Sequence, residues 1–199
     1  MPKLFCVMGK SASGKDTIFK KLVNDPELAL RTVVPYTTRP VREGEQEGVE
    51  YHFIDEDGYR ALKEAGKIIE ERAYETMHGL WRYFTADDGQ IDVHGGNGDY
   101  IVIGTLEAYR QMLAFFGPEI MVPIYVEVED GLRLSRALSR EQMQPVPKYA
   151  EMCRRFLADC EDFSEDKIKD CYITKRYDNI ELEQCFLEIK RDIQKRTAG

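Results

Sequence analysis

Short runs of consecutive apolar residues alternate along the chain with stretches in which apolar residues recur at helical spacing. The first pattern is typical of strands buried on both faces, and the second of helices that cover a sheet. This alternation predicts an α/β fold with a parallel sheet flanked by helices. We predict strands at residues 3–8, 31–34, 100–103, 120–128 and 172–174, and helices at 17–23, 55–65, 107–116, 132–140, 149–160 and 181–196.

The alternation is interrupted between residues 36 and 92. This segment opens with residues 36–48, which are rich in proline, glycine and charge and predict a loop. We therefore predict an inserted lobe at 36–92 in a core made of residues 1–35 and 93–199. Pro123, inside the fourth predicted strand, predicts an edge or bulge position, because proline has no N–H to donate to a sheet.

The chain has 199 residues, of which 43% are hydrophobic and 32% charged, as is typical of one globular domain with an insert. No apolar run approaches the roughly 20 residues of a membrane span, and the N-terminus lacks the pattern of a signal peptide. We therefore expect a cytoplasmic protein with no membrane partner. A formal net charge of −8 argues against binding of duplex nucleic acid, which usually involves a basic face.

Cysteine and histidine show no spacing that points to a metal site. The five cysteines include no C-x-x-C pair, and Cys153 and Cys160 lie two helical turns apart, which favours packing over metal binding. His52, His78 and His94 are assigned no role. Both a monomer and a homodimer are compatible with the sequence.

The stretch LFCVMGKSASGKDT, residues 4–17, joins a predicted strand to a predicted helix through a glycine-spaced loop. Gly9 and Gly14 allow several backbone N–H groups to point into one concavity, and the helix adds the positive end of its dipole. Lys15 supplies a positive charge for the β- and γ-phosphates of a nucleotide. A chance glycine turn is the alternative, but the position between a strand and a helix favours phosphate binding. The residues assigned to the phosphates of this nucleotide are Gly9, Ser11, Ala12, Ser13, Gly14, Lys15, Asp16 and Thr17.

Asp16 stands where the phosphate-loop pattern G-x-x-x-x-G-K-[ST] has a hydroxyl that binds magnesium, and Thr17 follows one residue late. A carboxylate about 6 Å from a phosphate charge would cost roughly 3 kcal/mol at an effective dielectric constant near 20, but Mg²⁺ between them reverses the sign. Asp16 therefore predicts nucleotide binding that depends strongly on Mg²⁺. In the alternative interpretation, Asp16 turns outward, where the helix dipole favours its charge, and Thr17 binds the metal through water.

Two arginines and a tyrosine in the insert form a second candidate phosphate site. Arg39 and Arg42 are three residues apart in an exposed context, and together with the Tyr51 hydroxyl they would hold a phosphate monoester. Taken alone, these residues fit a solvated charged loop equally well. Beside a phosphate loop they gain weight, because a kinase needs two phosphate sites.

The same stretch resembles the guanylate kinase family, whose insert carries T-T-R-x-P-R-x-G-E-x-x-G-x-x-Y-x-F. This chain has TTRPVREGE at residues 37–45, followed by Gly48, Tyr51 and Phe53, with the proline one place early. The resemblance covers nearly the whole chain. It implies a P-loop kinase fold with a monophosphate-binding insert and a helical lid at about 136–155. It also implies ATP as phosphoryl donor, Mg²⁺ as metal, and GMP or dGMP as acceptor.

Two further motifs of the family match the second half of the insert. GKIIEE, residues 66–71, is similar to G-x-F-L-E and places Glu70 where a carboxylate accepts hydrogens from guanine. HGLWRYFT, residues 78–85, is similar to G-N-Y-Y-G-T. That resemblance places Tyr83 on the monophosphate and Thr85 on the base.

The lid motifs of the family also have counterparts. RALSR, residues 136–140, is similar to the R-L-x-x-R that opens the lid, and residues 154–156 are similar to a following R-L. Like charges four residues apart on a helix repel, so Arg136 and Arg140 suggest an anionic partner in their own right. The resemblance implies that the lid arginines close over the transferring phosphoryl group. The candidate catalytic residues are Lys15, Arg136, Arg140 and Arg155.

Several positions depart from the base-reading pattern of the family. Pro35 stands where a serine touches guanine, and Phe84 replaces a glycine beside the base pocket. Gly104 and Leu106 replace two aspartates. Three functions therefore stay open: a GMP or dGMP kinase, a monophosphate kinase for another base, and a non-catalytic module that binds a phosphorylated ligand.

Overall fold

The computed structural model describes residues 1–76, 79–95 and 98–197, so His78 lies outside the described residues. Its strands are β1 Leu4–Met8, β2 Arg31–Thr32, β3 Tyr36–Thr37, β4 His52–Phe53, β5 Ile68–Thr76, β6 Gly79–Ala86, β7 Tyr100–Ile103, β8 Met121–Glu127 and β9 Arg176–Asp178. Its helices are α1 Lys15–Val23, α2 Glu56–Glu64, α3 Leu106–Phe116, α4 Asp130–Gln142, α5 Tyr149–Asp162, α6 Glu165–Asp170 and α7 Leu182–Thr197.

The main sheet has β1 at its centre, with strand order β2-β7-β1-β8-β9 and parallel pairing throughout. Leu4 lies opposite Tyr100 of β7 on one side and Met121 of β8 on the other. Each residue of β1 is buried, because helices cover both faces of the sheet. The predicted α/β class with a parallel sheet flanked by helices is confirmed.

Two apolar clusters fill the space between this sheet and its helices. One cluster packs α3 and α6 against Leu4, Cys6 and Met8 of β1. The other packs α1 and α7 against Phe5 and Val7, the alternate residues of the same strand. The central strand therefore joins both layers, and this fixes the start of the loop that follows it.

A second sheet, with strand order β4-β3-β6-β5, lies within the predicted insert. β5 and β6 form a long antiparallel hairpin, and α2 covers one face of it through Tyr59. α2 begins after Asp55, whose carboxylate accepts the N–H of Gly58, and it is followed by Gly66 at φ 67°. The division into core, insert and lid stays a prediction.

Gln111 of α3 joins the second sheet to the core at the edge of β5. The amide of Gln111, on α3, accepts the Glu71 N–H at 3.0 Å and donates to the Glu71 carbonyl oxygen at 2.9 Å. This pairing takes the place of a neighbouring strand and sets the hairpin beside α3. Ile69 of β5 adds an apolar contact, because it is buried in one cluster with Tyr109 and Met112 of α3.

The prediction of the last strand is wrong. We predict a strand at 172–174, but Tyr172 has φ 56° and is 81% exposed, and β9 begins only at Arg176. Ile173 is buried and supplies the apolar signal that shifts the prediction. The six-residue helix α6 just before it is too short to show a helical period.

Pro123 also differs from its prediction. β8 is an interior strand, paired with both β1 and β9, and not an edge strand. Pro123 lies opposite Cys6 of β1, whereas the pairing with β9 begins at Tyr125. Only one side of β8 has a neighbour at Pro123, which limits the cost of its missing N–H.

No helix in the described ranges is long and apolar enough to cross a membrane. The five cysteines are free thiols. Burial raises the pKa of Cys185 to about 11 and also raises the pKa of Cys6, so both thiols are protonated at neutral pH. Among the residues that the structure describes, no group of three or more His, Cys, Asp and Glu side chains could hold a metal ion.

Ile189→Ala should destabilise the protein, because Ile189 on α7 is fully buried against the main sheet. Removal of such a side chain costs about 2–5 kcal/mol. Leu187→Ala is the matched control on the same helix, since Leu187 is 47% exposed, and we expect a cost of about 0.5 kcal/mol or less. Urea unfolding followed by circular dichroism measures both, and equal losses would contradict the placement of α7.

Candidate active site

The phosphate loop connects the buried end of β1 to the first turn of α1. Gly14 has φ 83°, and a Cβ atom there would lie 2.3 Å from Nδ2 of Asn179. A Cβ atom on Gly9 would lie 2.4 Å from the carbonyl oxygen of Val126. Ala12 has φ 63°, which is strained for a residue other than glycine. The loop therefore has a constrained backbone that depends on the two glycines.

Two buried polar atoms beside this loop have no hydrogen-bond partner within the described ranges. They are Oγ of Ser13, on the loop, and Oδ1 of Asn179, which follows β9. The other end of the Asn179 amide, Nδ2, donates to the Ser13 carbonyl oxygen at 2.7 Å. An unpaired buried polar atom costs about 1–3 kcal/mol, so these atoms fit a site that receives a polar ligand. The N-terminus of α1 suits a phosphate group there.

Lys15, Asp16 and Thr17 form the first turn of α1. Lys15 Nζ lies 3.5 Å from Oδ2 of Asp16, whose side chain is 73% exposed. An exposed carboxylate and the exposed Thr17 hydroxyl are oxygen groups of the type that Mg²⁺ prefers. The same exposure suits a carboxylate that is stabilised by the helix dipole alone. The geometry is therefore compatible with both interpretations of Asp16.

The β5–β6 hairpin places the base-side and phosphate-side candidates on one face, which we call the acceptor face. Its members alternate along the two strands: Glu70, Arg72 and Tyr74 lie opposite Thr85, Tyr83 and Trp81. The other face is covered by α2, where Phe84 packs against Tyr59 with ring centroids 5.3 Å apart. Phe84 therefore points away from the acceptor face, and our prediction that it stands beside the base pocket is wrong.

Arg39 is the centre of the candidate monophosphate site. It is 3% exposed, and its two terminal nitrogens donate to the carboxylate oxygens of Glu45 at 2.8 and 2.9 Å. The bond to Glu45 raises the pKa of Arg39, although burial opposes this. Nε of Arg39 is buried and has no hydrogen-bond partner in the described part of the chain. The charged Arg39 guanidinium is therefore fixed in position by Glu45, and its Nε–H remains available to donate to a ligand.

The remaining phosphate candidates surround Arg39 to different degrees. The Tyr51 ring centroid lies 5.4 Å from the Arg39 guanidinium and 5.7 Å from the Tyr83 ring centroid. The backbone N–H of Arg42 donates to Glu45 at 2.8 Å, while the Arg42 side chain is exposed. The structure therefore brings Arg39, Tyr51 and Tyr83 together, whereas the Arg42 side chain is exposed and no hydrogen bond joins it to them in the part of the chain that the structure describes.

Arg72 is a member of the acceptor face that we did not predict from the sequence. Its Nε and Nη2 atoms lie 3.1 and 3.3 Å from the two oxygens of Glu70, and Thr85 Oγ1 donates to Glu70 at 3.0 Å. Burial lowers the pKa of Arg72, but the charge of Glu70 outweighs this and the net shift is upward. Alternation with Glu70 along β5 is the sequence signal that could have found it.

A cavity of about 280 Å³ lies beside the acceptor face, between the insert and the core. Tyr74 lines it from β5, and Thr105 and Leu106 line it from the start of α3. Arg72 reaches the same wall, since its Nη1 lies 3.4 Å from Thr105 Oγ1. Glu70 and Arg72 do not line the cavity themselves, and Tyr74 is the member of the acceptor face that does.

The lid arginines divide into two groups. Arg140 and Arg155 line one pocket of about 140 Å³ together with Ser11 of the phosphate loop. Arg136 instead donates from Nη2 to the carbonyl oxygens of residues 179 and 180, at 2.9 and 3.1 Å. The structure thus brings Arg140 and Arg155 to the loop and keeps Arg136 on the segment after β9.

Arg133 and Asp159 connect α4 and α5 to the phosphate loop, and neither is predicted from the sequence. Asp159, on α5, accepts the Ser11 N–H at 2.8 Å and pairs with Arg133 at 3.2 Å. Arg133, on α4, is 1% exposed and lies 4.0 Å from the ring centroid of Phe156. Arg133 precedes Arg136 by about one helical turn, which is the sequence signal for it.

Comparisons with known proteins agree on one family. Residues 1–81 match the family model described as guanylate kinase. A guanylate kinase from Coxiella burnetii (strain RSA 493 / Nine Mile phase I) is 30% identical over 140 residues, which cover 70% of this chain and 65% of that protein. A guanylate kinase from Aromatoleum aromaticum is 39% identical over 136 residues, which cover 65% of this chain and 63% of that protein.

A crystal structure of guanylate kinase from Anaplasma phagocytophilum is similar at a TM-score of 0.67 and 17% identity, covering 100% of this chain and 87% of that one. This likeness shows the fold, which is the P-loop kinase fold of the α/β class. The sequence matches add a similarity to guanylate kinases over residues 1–81 and over part of the length of the two relatives. The chain spans 65% and 63% of the two curated relatives named above.

Gly14→Ala should weaken nucleotide binding and lower stability more than Gly44→Ala does. The two glycines have nearly the same φ, 83° and 84°, and left-handed strain costs about 1–2 kcal/mol in either variant. A Cβ atom at Gly14 would in addition collide with Asn179, whereas at Gly44 it would meet no described atom within 4 Å. Titration with a fluorescent ATP analogue and urea unfolding measure both effects. Equal losses in the two variants would contradict this loop geometry.

Proposed function

We propose that this protein is an ATP-dependent nucleoside monophosphate kinase whose preferred acceptor is GMP or dGMP. The observation that carries the proposal is the presence of two arrangements suited to phosphate in one molecule. One is the loop from Gly9 to Lys15, and the other is the set of Arg39, Tyr51 and Tyr83, which we call the Arg39 group. A phosphoryl-transfer enzyme needs both, one for the donor and one for the acceptor. Similarity to guanylate kinases supports the same reaction.

The donor ATP would lie along the phosphate loop. Backbone N–H groups of the loop and the Lys15 charge would bind its β- and γ-phosphates, and the unpaired Ser13 hydroxyl lies at the same place. Asp16 and Thr17 would hold Mg²⁺. When bound, this ion would offset the repulsion between the phosphates and the Asp16 carboxylate. The rigid loop needs little reorganisation when the nucleotide arrives.

The acceptor phosphate would lie at the Arg39 group. Glu45 fixes the Arg39 guanidinium, and Tyr51 and Tyr83 enclose it, so the phosphate meets an arrangement that is already formed. The exposed Arg42 would add a second guanidinium when the phosphate binds. On the same face, Glu70 and Thr85 would face the base, because the register of the hairpin sets them side by side.

Transfer itself requires positioning and charge stabilisation more than covalent chemistry. An oxygen of the acceptor phosphate forms a bond to the γ-phosphorus while the bond to the leaving ADP oxygen breaks. Lys15, Arg140 and Arg155 would spread positive charge over the group in flight, since the two lid arginines line a pocket at the loop. Arg136 would support them from the segment after β9. Closure of insert and lid would exclude water, which otherwise hydrolyses ATP.

Two observations bear on the alternatives. Pro35 and Leu106 lack the polar groups that read a base in the family pattern, which favours a monophosphate kinase with another base. Gly104 stands where the family pattern has an aspartate, and the absence of that carboxylate weakly favours a non-catalytic module. A module has no need of an ATP cradle, however, and the constrained loop together with Arg140 and Arg155 therefore favours catalysis.

Release of ADP, measured with a panel of nucleoside monophosphates in the presence and absence of Mg²⁺, tests the proposal. We expect turnover with GMP and dGMP, and Lys15→Ala should reduce it by roughly a hundredfold or more, because the charge on the transferring group is lost. Lys20→Ala is the matched control, an exposed lysine on the same helix that should retain full activity. No turnover with any acceptor would favour the module, and turnover restricted to another base would favour the second alternative.

Asp16→Ser should weaken the dependence on Mg²⁺. A carboxylate raises the metal requirement because it repels the phosphates when the ion is absent, and a serine hydroxyl removes that charge. We expect the Mg²⁺ concentration needed for half-maximal rate to fall by about threefold or more, together with measurable ATP binding without metal. Asp57→Ser, at an exposed aspartate in the first turn of α2, is the control. An Asp16→Ser variant with unchanged rate and Mg²⁺ dependence would refute the metal role.

A further inference from the structure

One backbone donor of the phosphate loop is already paired with a side chain of the protein itself. The Ser11 N–H donates to Oδ2 of Asp159 at 2.8 Å, and Nη1 of Arg133 donates to the same oxygen at 3.2 Å. A donor of the loop and a donor of α4 therefore converge on one carboxylate oxygen. Loops of this kind bind phosphates through such N–H groups, so Asp159 occupies a position that suits a phosphate oxygen.

Arg133 has contacts that hold it in place without Asp159. Its Nε and Nη2 atoms both lie 3.0 Å from Oδ1 of Asp130, and its guanidinium lies 4.0 Å from the Phe156 ring centroid. Burial raises the pKa of Asp130, but its bonds to Arg133 and Lys10 outweigh this, and the net shift is downward. Asp130 therefore stays charged at neutral pH and holds one edge of the guanidinium, which leaves Nη1 for a partner at the loop.

A pocket at the loop would bring a phosphate group to the same two donors. Ser11 and Arg133 line the pocket of about 140 Å³ that Arg140 and Arg155 also line. A phosphate there carries more negative charge than a carboxylate and would meet further N–H groups of the loop. It is therefore the stronger acceptor, and its binding in place of Asp159 leaves neither donor unpaired.

Asp159 can leave the loop by a change of its own side-chain conformation. Its side chain is 17% exposed, and it lines the 280 Å³ cavity together with Arg110 and Lys167. These two cations would partly compensate the carboxylate for its lost partners. The cavity also has three further acidic side chains, Glu107, Asp162 and Asp170. They weaken that attraction, so the carboxylate would return to the loop when the phosphate leaves.

We propose that the Ser11 N–H and Arg133 form a binding site for an oxygen of the terminal phosphate of ATP, and that Asp159 fills this site until ATP displaces it. Arg133 is then a further phosphate-binding residue of the donor site. Asp159 is an internal competitor, which satisfies both donors in the empty protein and lowers the affinity for ATP. This inference rests on the proposed kinase function and specifies how the donor site of that kinase binds phosphate.

Asp159→Asn should bind ATP about tenfold or more tightly, because the charge that competes for the loop is lost. The same variant should unfold at a lower temperature without ATP, since Ser11 and Arg133 lose a charged partner. Asp162→Asn is the matched control, because it removes the same charge at an exposed position of the same helix, and its affinity should change by less than about threefold. Calorimetric titration with ATP and Mg²⁺ and thermal unfolding followed by circular dichroism measure the two effects.

ATP binding that is unchanged or weaker in Asp159→Asn would overturn the inference, because a merely structural pair loses stability without a gain in affinity. If the unmodified protein binds no ATP, the kinase proposal fails. In that case, ATP binding by Asp159→Asn would still support the inference, and no binding by this variant would overturn it as well.

The second test concerns Arg133, for which the expected change in affinity has the opposite sign. Arg133→Lys keeps the charge, but one ammonium group cannot contact both Asp130 and the loop as the guanidinium fork does, so ATP should bind about fivefold or more weakly. Arg60→Lys, at an exposed arginine of α2, is the control and should bind ATP like the unmodified protein. Unchanged ATP affinity in Arg133→Lys would overturn the inference, and this variant decides if Asp159→Asn does not fold.

Discussion

Two close approaches of backbone and side chain fix the phosphate loop, and most of the site depends on them. The Val126 carbonyl oxygen lies against Gly9, and the Asn179 amide lies against Gly14. Val126 belongs to β8 and Asn179 follows β9, so the shape of the loop depends on the strand order β1-β8-β9. A side chain at either position would collide with these neighbours, which explains why the loop has glycine at both positions.

The second requirement is a fixed position for the insert relative to that loop. Gln111 holds the backbone of Glu71 through two hydrogen bonds and thereby keeps the β5–β6 hairpin beside α3. α2 takes up one face of the hairpin, which leaves the other face turned toward the core. Arg39 is held on that side by Glu45. The chain therefore forms both phosphate-suited groups before any ligand binds, and phosphoryl transfer requires that the two face one cleft.

The sequence predicts those parts of this arrangement that depend on local spacing. The loop from Gly9 to Lys15 and the position of Arg39 can be predicted because each lies in one short segment with a recognisable pattern. Arg72 is not predicted because its role comes from its contacts with Glu70 and Thr105 in the folded chain, and alternation with Glu70 along β5 is only a weak sequence signal for it. Asn179 was missed for a related reason, since the strand before it was placed several residues too early.

The most direct test of one shared cleft is calorimetric titration with a compound in which adenosine and guanosine are joined through five phosphates, in the presence of Mg²⁺. If both phosphate sites face the same cleft, the second half binds at high effective concentration. The compound should then bind roughly a hundredfold more tightly than ATP or GMP alone. An affinity no better than that of ATP would contradict a shared cleft and, with it, the kinase function proposed for this protein.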